Sequence, residues 1–328
     1  MLYYYALLYY NINLKQINTM KKIHLISTLI GLLAFSTLAK ADLKVVTSIK
    51  PIHSLAGYIM DGVGSPGLIV DGYNSPHSFQ LKPSHAKMLE QADIIFWIGE
   101  DLENFLEKPL ATIAMKAEKI ELLEINGIKK LKFRERNIFD EHDDHGHDAK
   151  KEEHDDHEGH GHGEYDPHIW LDPINAKVIL NEITEHLIED DSKNTATYKS
   201  NLAKALAKID KLIIDVITET NTDLSYVVFH DAYQYYENRF NVNILGAMTV
   251  NPDVMPGAEQ IHEIHEVIEH DNVSCILSEP QFNPDIIKSI AKDTSVKTGV
   301  LDPLGANLKP EKNLYFDLIR NMSSSFNC

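Results

Sequence analysis

The sequence predicts an α/β protein with two lobes, each built on a parallel sheet, joined by one long rigid helix. Short apolar runs such as Asp93 to Gly99 (DIIFWIG) are typical of strands buried on both faces, and they alternate with helical patterns in both halves of the chain. Between the halves, Ser192 to Thr220 contains good helix formers and no Pro or Gly over about 29 residues, which gives roughly 43 Å of helix. The 328 residues are 43% hydrophobic, enough for one large domain or two ordinary ones.

Strands and helices alternate regularly through the first half of the chain. Pro51 and Pro83 each open a helical pattern, as proline suits the first turn of a helix. Strands are expected at 43–49, 67–70, 93–99 and 119–123, and helices at 51–60, from Pro83 and at 102–115. This half, with a helix at 173–189, is the predicted N-terminal lobe over residues 42–191.

The second half repeats the alternation after the predicted linking helix over residues 192–220. Strands are expected at 225–229, 242–245, 273–277 and 296–301, and helices at 232–240, 257–270, 284–292 and 311–323. They form the predicted C-terminal lobe over residues 221–328. We find no short-period repeat, so the two halves share an architecture and not a sequence.

The N-terminus has the pattern of a cleaved secretory signal. Met20-Lys21-Lys22 is a basic start, residues 23–38 are apolar, and Ala39-Lys40-Ala41 matches a small-residue cleavage site. The apolar run is short for a retained transmembrane helix, which is the less favoured alternative. Residues 1–41 are therefore interpreted as an extension plus a signal peptide, with the true start at Met1 or Met20. The mature protein is expected to be exported and to begin near Asp42.

The net charge and the cysteine content limit which classes of partner and which cellular compartment suit this protein. A formal net charge of −18 disfavours nucleic acid and anionic membrane surfaces as partners and favours cations. The only two cysteines are Cys275 and Cys328. In an exported protein such a pair indicates one disulfide, and two buried thiols are the less favoured alternative.

A histidine-rich tract at about residues 140–164 interrupts the first half. Eight of the 17 histidines fall between Asp140 and Pro173, interleaved with Asp, Glu and Gly. Such a tract is too polar to build a core and is typical of segments that collect divalent metal, so we expect disorder and metal contact. A solvated charged loop with incidental histidines is the alternative.

Three histidines lie where loop-borne metal ligands are expected: His77 in YNSPHSF, His168 in YDPHIWLDP and His230 in VVFHDAY. His230 follows a strand directly, and side chains at the carboxyl ends of parallel strands converge on one crevice. Three imidazoles suit Zn²⁺, with a fourth ligand from Asp302 or water. Each histidine alone could equally be a hydrogen-bonding loop residue. The remaining mature-chain histidines outside the tract lie in predicted helices and are excluded from the site: His53, His85, His186, His262, His265 and His270.

Several stretches then carry a family resemblance that spans essentially all of residues 42–328. They are KPIHSLAGYIMDGV, PSHAKMLEQADIIFWIGEDLENFLEKPL, HIWLDP, FHDAYQYYENRF, TVNPDVMPGAEQIHEI, CILSEPQFNP and LDPLG. The chain resembles the periplasmic zinc-binding component of a high-affinity zinc uptake ABC transporter, from the metal-binding class with a single long linking helix. FHDAYQYYE and SEPQF are its most specific motifs.

The resemblance implies a function and a site. It implies that His77, His168 and His230 bind the transported Zn²⁺ in the cleft between the lobes, that the acidic tract is the family's metal-rich insertion, and that Cys275 pairs with Cys328. It also implies a monomer that delivers zinc to a permease in the inner membrane and is not an enzyme. Manganese binding by a protein of the same class remains an alternative.

One departure from the family leaves the fourth ligand open. Zinc members often have Glu directly before the first ligand histidine, and this chain has Pro76 there. Asp302, which aligns with an acidic ligand in related metal binders, is the predicted fourth ligand, with water or Glu279 as alternatives. A zinc hydrolase with Glu279 as its base is disfavoured because no HExxH-type motif is present. An extracellular adhesin or a metal buffer on the same scaffold is a third possibility.

Overall fold

Two four-stranded parallel sheets organise the part of the chain that the computed structural model describes. This part comprises residues 42–134, 137–138, 163–250, 252, 256–294 and 296–328. The predicted signal peptide and nearly all of the histidine-rich tract lie outside these residues.

The first sheet has the strand order β2-β1-β3-β4, all parallel. Its strands are β1 (Val45–Ile49), β2 (Gly67–Val70), β3 (Ile94–Trp97) and β4 (Glu118–Glu121). The central strands β1 and β3 are buried at every position, as their continuous apolar runs predict. The helices between them are α1 (Lys50–Ile59), α2 (Pro83–Glu90) and α3 (Glu100–Thr112).

The second sheet has the matching order β6-β5-β7-β8, also all parallel. Its strands are β5 (Ser225–His230), β6 (Asn243–Thr249), β7 (Cys275–Ser278) and β8 (Lys297–Val300). The accompanying helices are α6 (Gln234–Phe240), α7 (Ala258–His270) and α8 (Asp285–Thr294), and α9 (Leu314–Ser325) ends the chain. The two sheets therefore have the same topology, and the α/β fold class predicted from the sequence is confirmed.

The long helix between the sheets is α5 (Thr195–Glu219), which has 25 residues. It begins three residues later than the pattern predicts, because a 3₁₀ turn at Ser192–Asn194 links it to α4 (Pro173–Asp190). A buried stripe of Tyr198, Ala205, Ile209, Leu212 and Val216 packs it against α1, α4 and α9. Among the described residues, no helix is both long and apolar enough to cross a bilayer.

A disulfide between Cys275 in β7 and the C-terminal Cys328 closes a segment with a sequence separation of 53. The predicted pairing is confirmed. The bond attaches the chain end beyond α9 to the second sheet, beside the buried ring pair Tyr226 and Phe326.

Replacing both cysteines by alanine should lower the free energy of unfolding by about 2–4 kcal/mol, because the unfolded chain loses its crosslink. Urea titration of the oxidised wild type and the double variant measures the difference. The wild type unfolded under reducing conditions is the control that separates loss of the bond from loss of packing at Cys275. Equal urea midpoints for the three samples would contradict the stabilising role.

Candidate metal centre

Three histidines from distant parts of the chain converge between the lobes. His77 lies on the loop after β2, His168 directly precedes a 3₁₀ turn at Ile169–Leu171, and His230 is the last residue of β5. One ring nitrogen from each lies within 4.8 Å of the other two. Within the described residues, this is the one group of three or more His, Cys, Asp or Glu side chains with such geometry.

The position of each histidine is set by its own local sequence and backbone contacts. His230 ends a fully buried strand, so its side chain enters the crevice at the carboxyl edge of the sheet. The backbone N–H of His168 donates to Asp166 Oδ1 at 2.9 Å, which closes a tight turn two residues long. The backbone N–H of His77 donates to Ser75 Oγ at 3.2 Å. His168 and His230 are buried, and His77 is half-buried.

Buried carboxylates orient two of the rings. His168 Nδ1 lies 2.7 Å from Asp166 Oδ1, and His230 Nδ1 lies 2.6 Å from Glu279 Oε1. With each Nδ1–H donated to a carboxylate, Nε2 is left as the nitrogen with a free lone pair. The two Nε2 atoms are 3.4 Å apart. Two nitrogens bound to one tetrahedral zinc ion at about 2.0–2.1 Å would be about 3.3–3.4 Å apart, so this spacing fits a shared metal ion.

The pKa values of His168 and His230 are shifted in opposite directions. Burial and the neighbouring His230 hold the pKa of His168 well below its usual value, so this ring is neutral. Burial lowers the pKa of His230, but the carboxylates of Glu279, Asp231 and Asp166 together raise that pKa overall. Of these two rings, His230 is therefore the one at which a metal ion competes with a proton.

Behind the rings lies a buried group of three acids, Asp166, Asp231 and Glu237, around one arginine. Arg134 Nη1 is 3.2 Å from Asp231 Oδ1, and Arg134 also pairs with Glu237. Burial raises the pKa of each of the three acids to about 7, although Arg134 opposes the shift. Above about pH 7, where the three acids are ionised, their charge exceeds that of the arginine, so the surroundings of the histidines favour a bound cation.

The sequence alone did not predict that Asp166, Asp231, Glu237 and Arg134 surround the metal centre. Two of them were visible beside the ligands, since Asp166 precedes His168 by two residues and Asp231 follows His230. Glu279 was considered only as a metal ligand or a base, and the structure places it on the rear nitrogen of His230.

Asp302, the predicted fourth ligand, lies outside the histidine group. Its carboxylate accepts backbone N–H groups from Leu304 at 3.1 Å, Gly305 at 2.9 Å and Ala306 at 2.6 Å. It also accepts from Gln281 Nε2 at 3.0 Å. As placed here, it organises the turn that follows β8. The described geometry thus gives Asp302 a different role, and its part in metal binding stays a prediction.

The segments that flank the histidine-rich tract are paired next to the site. Lys132 and Tyr165 form an antiparallel bridge, and the Asp166 N–H donates to Leu131 O at 2.8 Å. Residues 139–162 themselves are not described, so the predicted disorder and metal contact of the tract stay predictions. The six histidines excluded on sequence grounds all lie in helices and outside the histidine group: His53, His85, His186, His262, His265 and His270.

Two parallel-sheet lobes with a buried histidine cluster between them define the class of the molecule, a two-lobed metal-binding protein. Residues 45–327 match the family described as "Zinc-uptake complex component A periplasmic". The chain belongs to this family. It is 43% identical to the high-affinity zinc uptake system protein ZnuA of Brucella abortus, over 93% of this chain and 98% of the relative. It is 36% identical to the protein of that name from Yersinia pestis, over 87% of this chain and 91% of the relative.

Solved structures share the fold at lower identity. A crystal structure of ZnuA superimposes with a TM-score of 0.69 at 21% identity, covering 87% of this chain and 99% of the other. The laminin-binding protein of Streptococcus agalactiae, described as having adhesin and metal transporting activity, gives a TM-score of 0.68 at 21% identity over 87% and 99%. These likenesses support the two-lobed architecture.

Replacing Glu279 by glutamine should weaken zinc binding by about 10–100-fold without unfolding the protein, because the ring of His230 loses its charged partner. Competition with a chromophoric chelator measures the affinity. Glu266→Gln is the matched control, since Glu266 contacts the exposed His262 on α7 at 3.5 Å and lies outside the histidine group. Equal affinities for the two variants would refute an orienting role for Glu279.

Proposed function

We propose that this protein captures Zn²⁺ between its lobes and delivers it to an ABC transporter for import. The observation that carries the proposal is the 3.4 Å separation of the Nε2 atoms of His168 and His230, with His77 completing the group. A protein that must bind and later release one ion needs ligands from parts of the chain that can separate. Here the three histidines come from three separate segments.

Zinc is favoured over manganese as the cargo. The inner ligands are three imidazoles, whereas Mn²⁺ prefers sites richer in oxygen donors. The two relatives described above, from Brucella abortus and Yersinia pestis, are named as zinc uptake proteins. The family description names an uptake component, which argues against the zinc hydrolase alternative.

The fourth coordination position has three candidates. Glu279 lines the cavity formed by the three histidines, and water could enter the same space. Asp302, our prediction from the sequence, would first have to release the three N–H groups that it accepts in the turn. Glu279 also lies outside the histidine group, with Oε1 on the rear nitrogen of His230, so the described geometry supports water most strongly.

The remaining parts of the proposal concern location and partners. The family is described as periplasmic, which agrees with the signal-like pattern of residues 1–41. We infer that the mature protein works as a monomer in the periplasm and docks on the permease of a zinc transporter in the inner membrane. The division into lobes at 42–191 and 221–328, with a linking helix at 192–220, belongs to the same proposal.

Deletion of the gene tests transport directly. The mutant strain should fail to grow in zinc-depleted medium and should recover when zinc or the intact gene is supplied. Complementation with a His230→Ala gene is the matched control and should fail. Normal growth of the deletion strain, in a background without a second zinc importer, would overturn the proposal. Rescue of growth by manganese alone would show that manganese, and not zinc, is the transported ion.

A further inference from the structure

The turn after β8, residues 302–308, is held by opposite charges on its two sides. On one side the Asp302 carboxylate accepts the N–H groups of residues 304–306. On the other side the ammonium of Lys50 donates to three carbonyls, those of Gly305 at 3.2 Å, Ala306 at 2.9 Å and Leu308 at 3.0 Å. Gly305 has φ +71°, a conformation that favours glycine and turns its carbonyl toward Lys50.

Burial of the Lys50 ammonium is unfavourable in free energy unless the charge is hydrogen-bonded or paired. The residue is 3% exposed and begins α1, where the helix dipole disfavours a positive charge. The three carbonyls and the carboxylate of Asp71, 3.3 Å from Nζ, offset that cost. The ammonium thus joins the end of β1 in the first lobe to a turn that follows the second sheet.

The same contacts hold the loop that carries His77. Asp71 begins that loop directly after β2, and it pairs with Lys50. Two residues further on, the Tyr73 hydroxyl donates to Asn307 Oδ1 in the turn. Pro76 and His77 then lie with Leu304 around the metal cavity.

His77 depends on such contacts more than the other two histidines. His168 and His230 are 3% exposed, and they lie beside a buried 3₁₀ turn and at the end of a buried strand. His77 is half-buried and lies on an irregular loop between β2 and α2. Of the three ligands, it is therefore the one whose position can change with the least disruption of the core.

We propose that Lys50 is a positioning residue for His77 and that, through Asp71 and the 302–308 turn, it sets the rate at which zinc leaves the site. This inference rests on the proposed function, because it concerns release of the same ion. Departure of zinc requires His77 to swing away, and the Lys50 contacts oppose that movement. Because affinity differences among variants of one binding site lie mostly in the dissociation rate, loss of these contacts should change dissociation more than association.

The test measures zinc dissociation by stopped-flow with an excess of chromophoric chelator. Lys50→Met keeps the apolar stem and removes the ammonium, and it should speed dissociation about tenfold. Asp71→Asn, at an exposed position that should fold normally, should speed dissociation to a smaller extent. Added to Lys50→Met it should have little further effect, because the contact is already lost.

Asn201→Ala is the control for a purely structural effect. Asn201 on α5 donates to Ile59 O and Asp61 O, both at 2.9 Å, at the opposite end of α1 from Lys50. Its replacement should lower thermal stability and leave zinc dissociation unchanged. If Asp71→Asn leaves dissociation at the wild-type rate, or if Lys50→Met and Asn201→Ala change it equally, the positioning role is refuted. A wild type without tight zinc binding would instead refute the proposed function.

Discussion

Replacement of His230 by alanine should weaken zinc binding by at least about a thousandfold, or about 4 kcal/mol. The variant removes one of the three proposed ligands, and it also leaves the Glu279 carboxylate buried without the imidazole it contacts at 2.6 Å. Isothermal titration calorimetry with a competing chelator measures the affinity. Deletion of residues 139–162 from both proteins removes the histidine-rich tract, so that weak binding there does not hide the loss.

His262→Ala is the matched control for this experiment. His262 is exposed on α7, and its one described ion pair is with Glu266. Its loss should leave the affinity unchanged. Unchanged affinity in the tract-deleted His230→Ala protein would show that the tight site lies elsewhere.

Replacement of Arg134 by methionine should lower the free energy of unfolding of the zinc-free protein by about 3–5 kcal/mol at pH 8. The arginine contacts Asp231 and Glu237, whose side chains are 5% and 10% exposed. Urea denaturation of the variant and the wild type measures the difference. Lys132→Met is the control, since Lys132 is exposed and pairs with Glu164 at the surface, where an ion pair contributes little to stability.

The loss caused by Arg134→Met should shrink as the pH falls. Burial raises the pKa of Asp231 and Glu237 to about 7 in the folded protein, above their usual values in the unfolded chain. The folded state therefore binds more protons between about pH 4 and pH 7, and the stability from these acids is lost as the pH rises through 7. At pH 5.5 the acids are protonated and need the arginine less. A deficit that stays constant from pH 5.5 to pH 8 would contradict this account of the buried acids.

The three histidines could be predicted because each stands at a place where local sequence fixes the chain. His230 ends an apolar strand, and His168 precedes the apolar segment IWL. The parallel topology then brings strand-end residues together without any knowledge of side-chain packing. Both sheets and the linking helix could be predicted because the alternation of strands with helices, and the length of a helical pattern, are local features of the sequence.

The roles of the carboxylates could not be predicted, because they depend on contacts between residues far apart in sequence. Asp302 resembles a ligand in sequence, yet its oxygens are 2.6–3.1 Å from N–H groups of its own turn and of Gln281. Arg134 lies 97 residues from its partner Asp231. Lys50 is separated from the carbonyls it binds by more than 250 residues. Spacing along the chain carries no signal for such pairs.

Anomalous diffraction at the zinc edge, on crystals of the zinc-loaded mature protein, tests the central claim most directly. The account predicts one strong ordered peak about 2.0–2.1 Å from Nε2 of His168, Nε2 of His230 and a ring nitrogen of His77. The same map identifies the fourth ligand among water, Glu279 and Asp302. A strongest ordered peak away from these three histidines, for example on the exposed histidines of α7, would contradict the account.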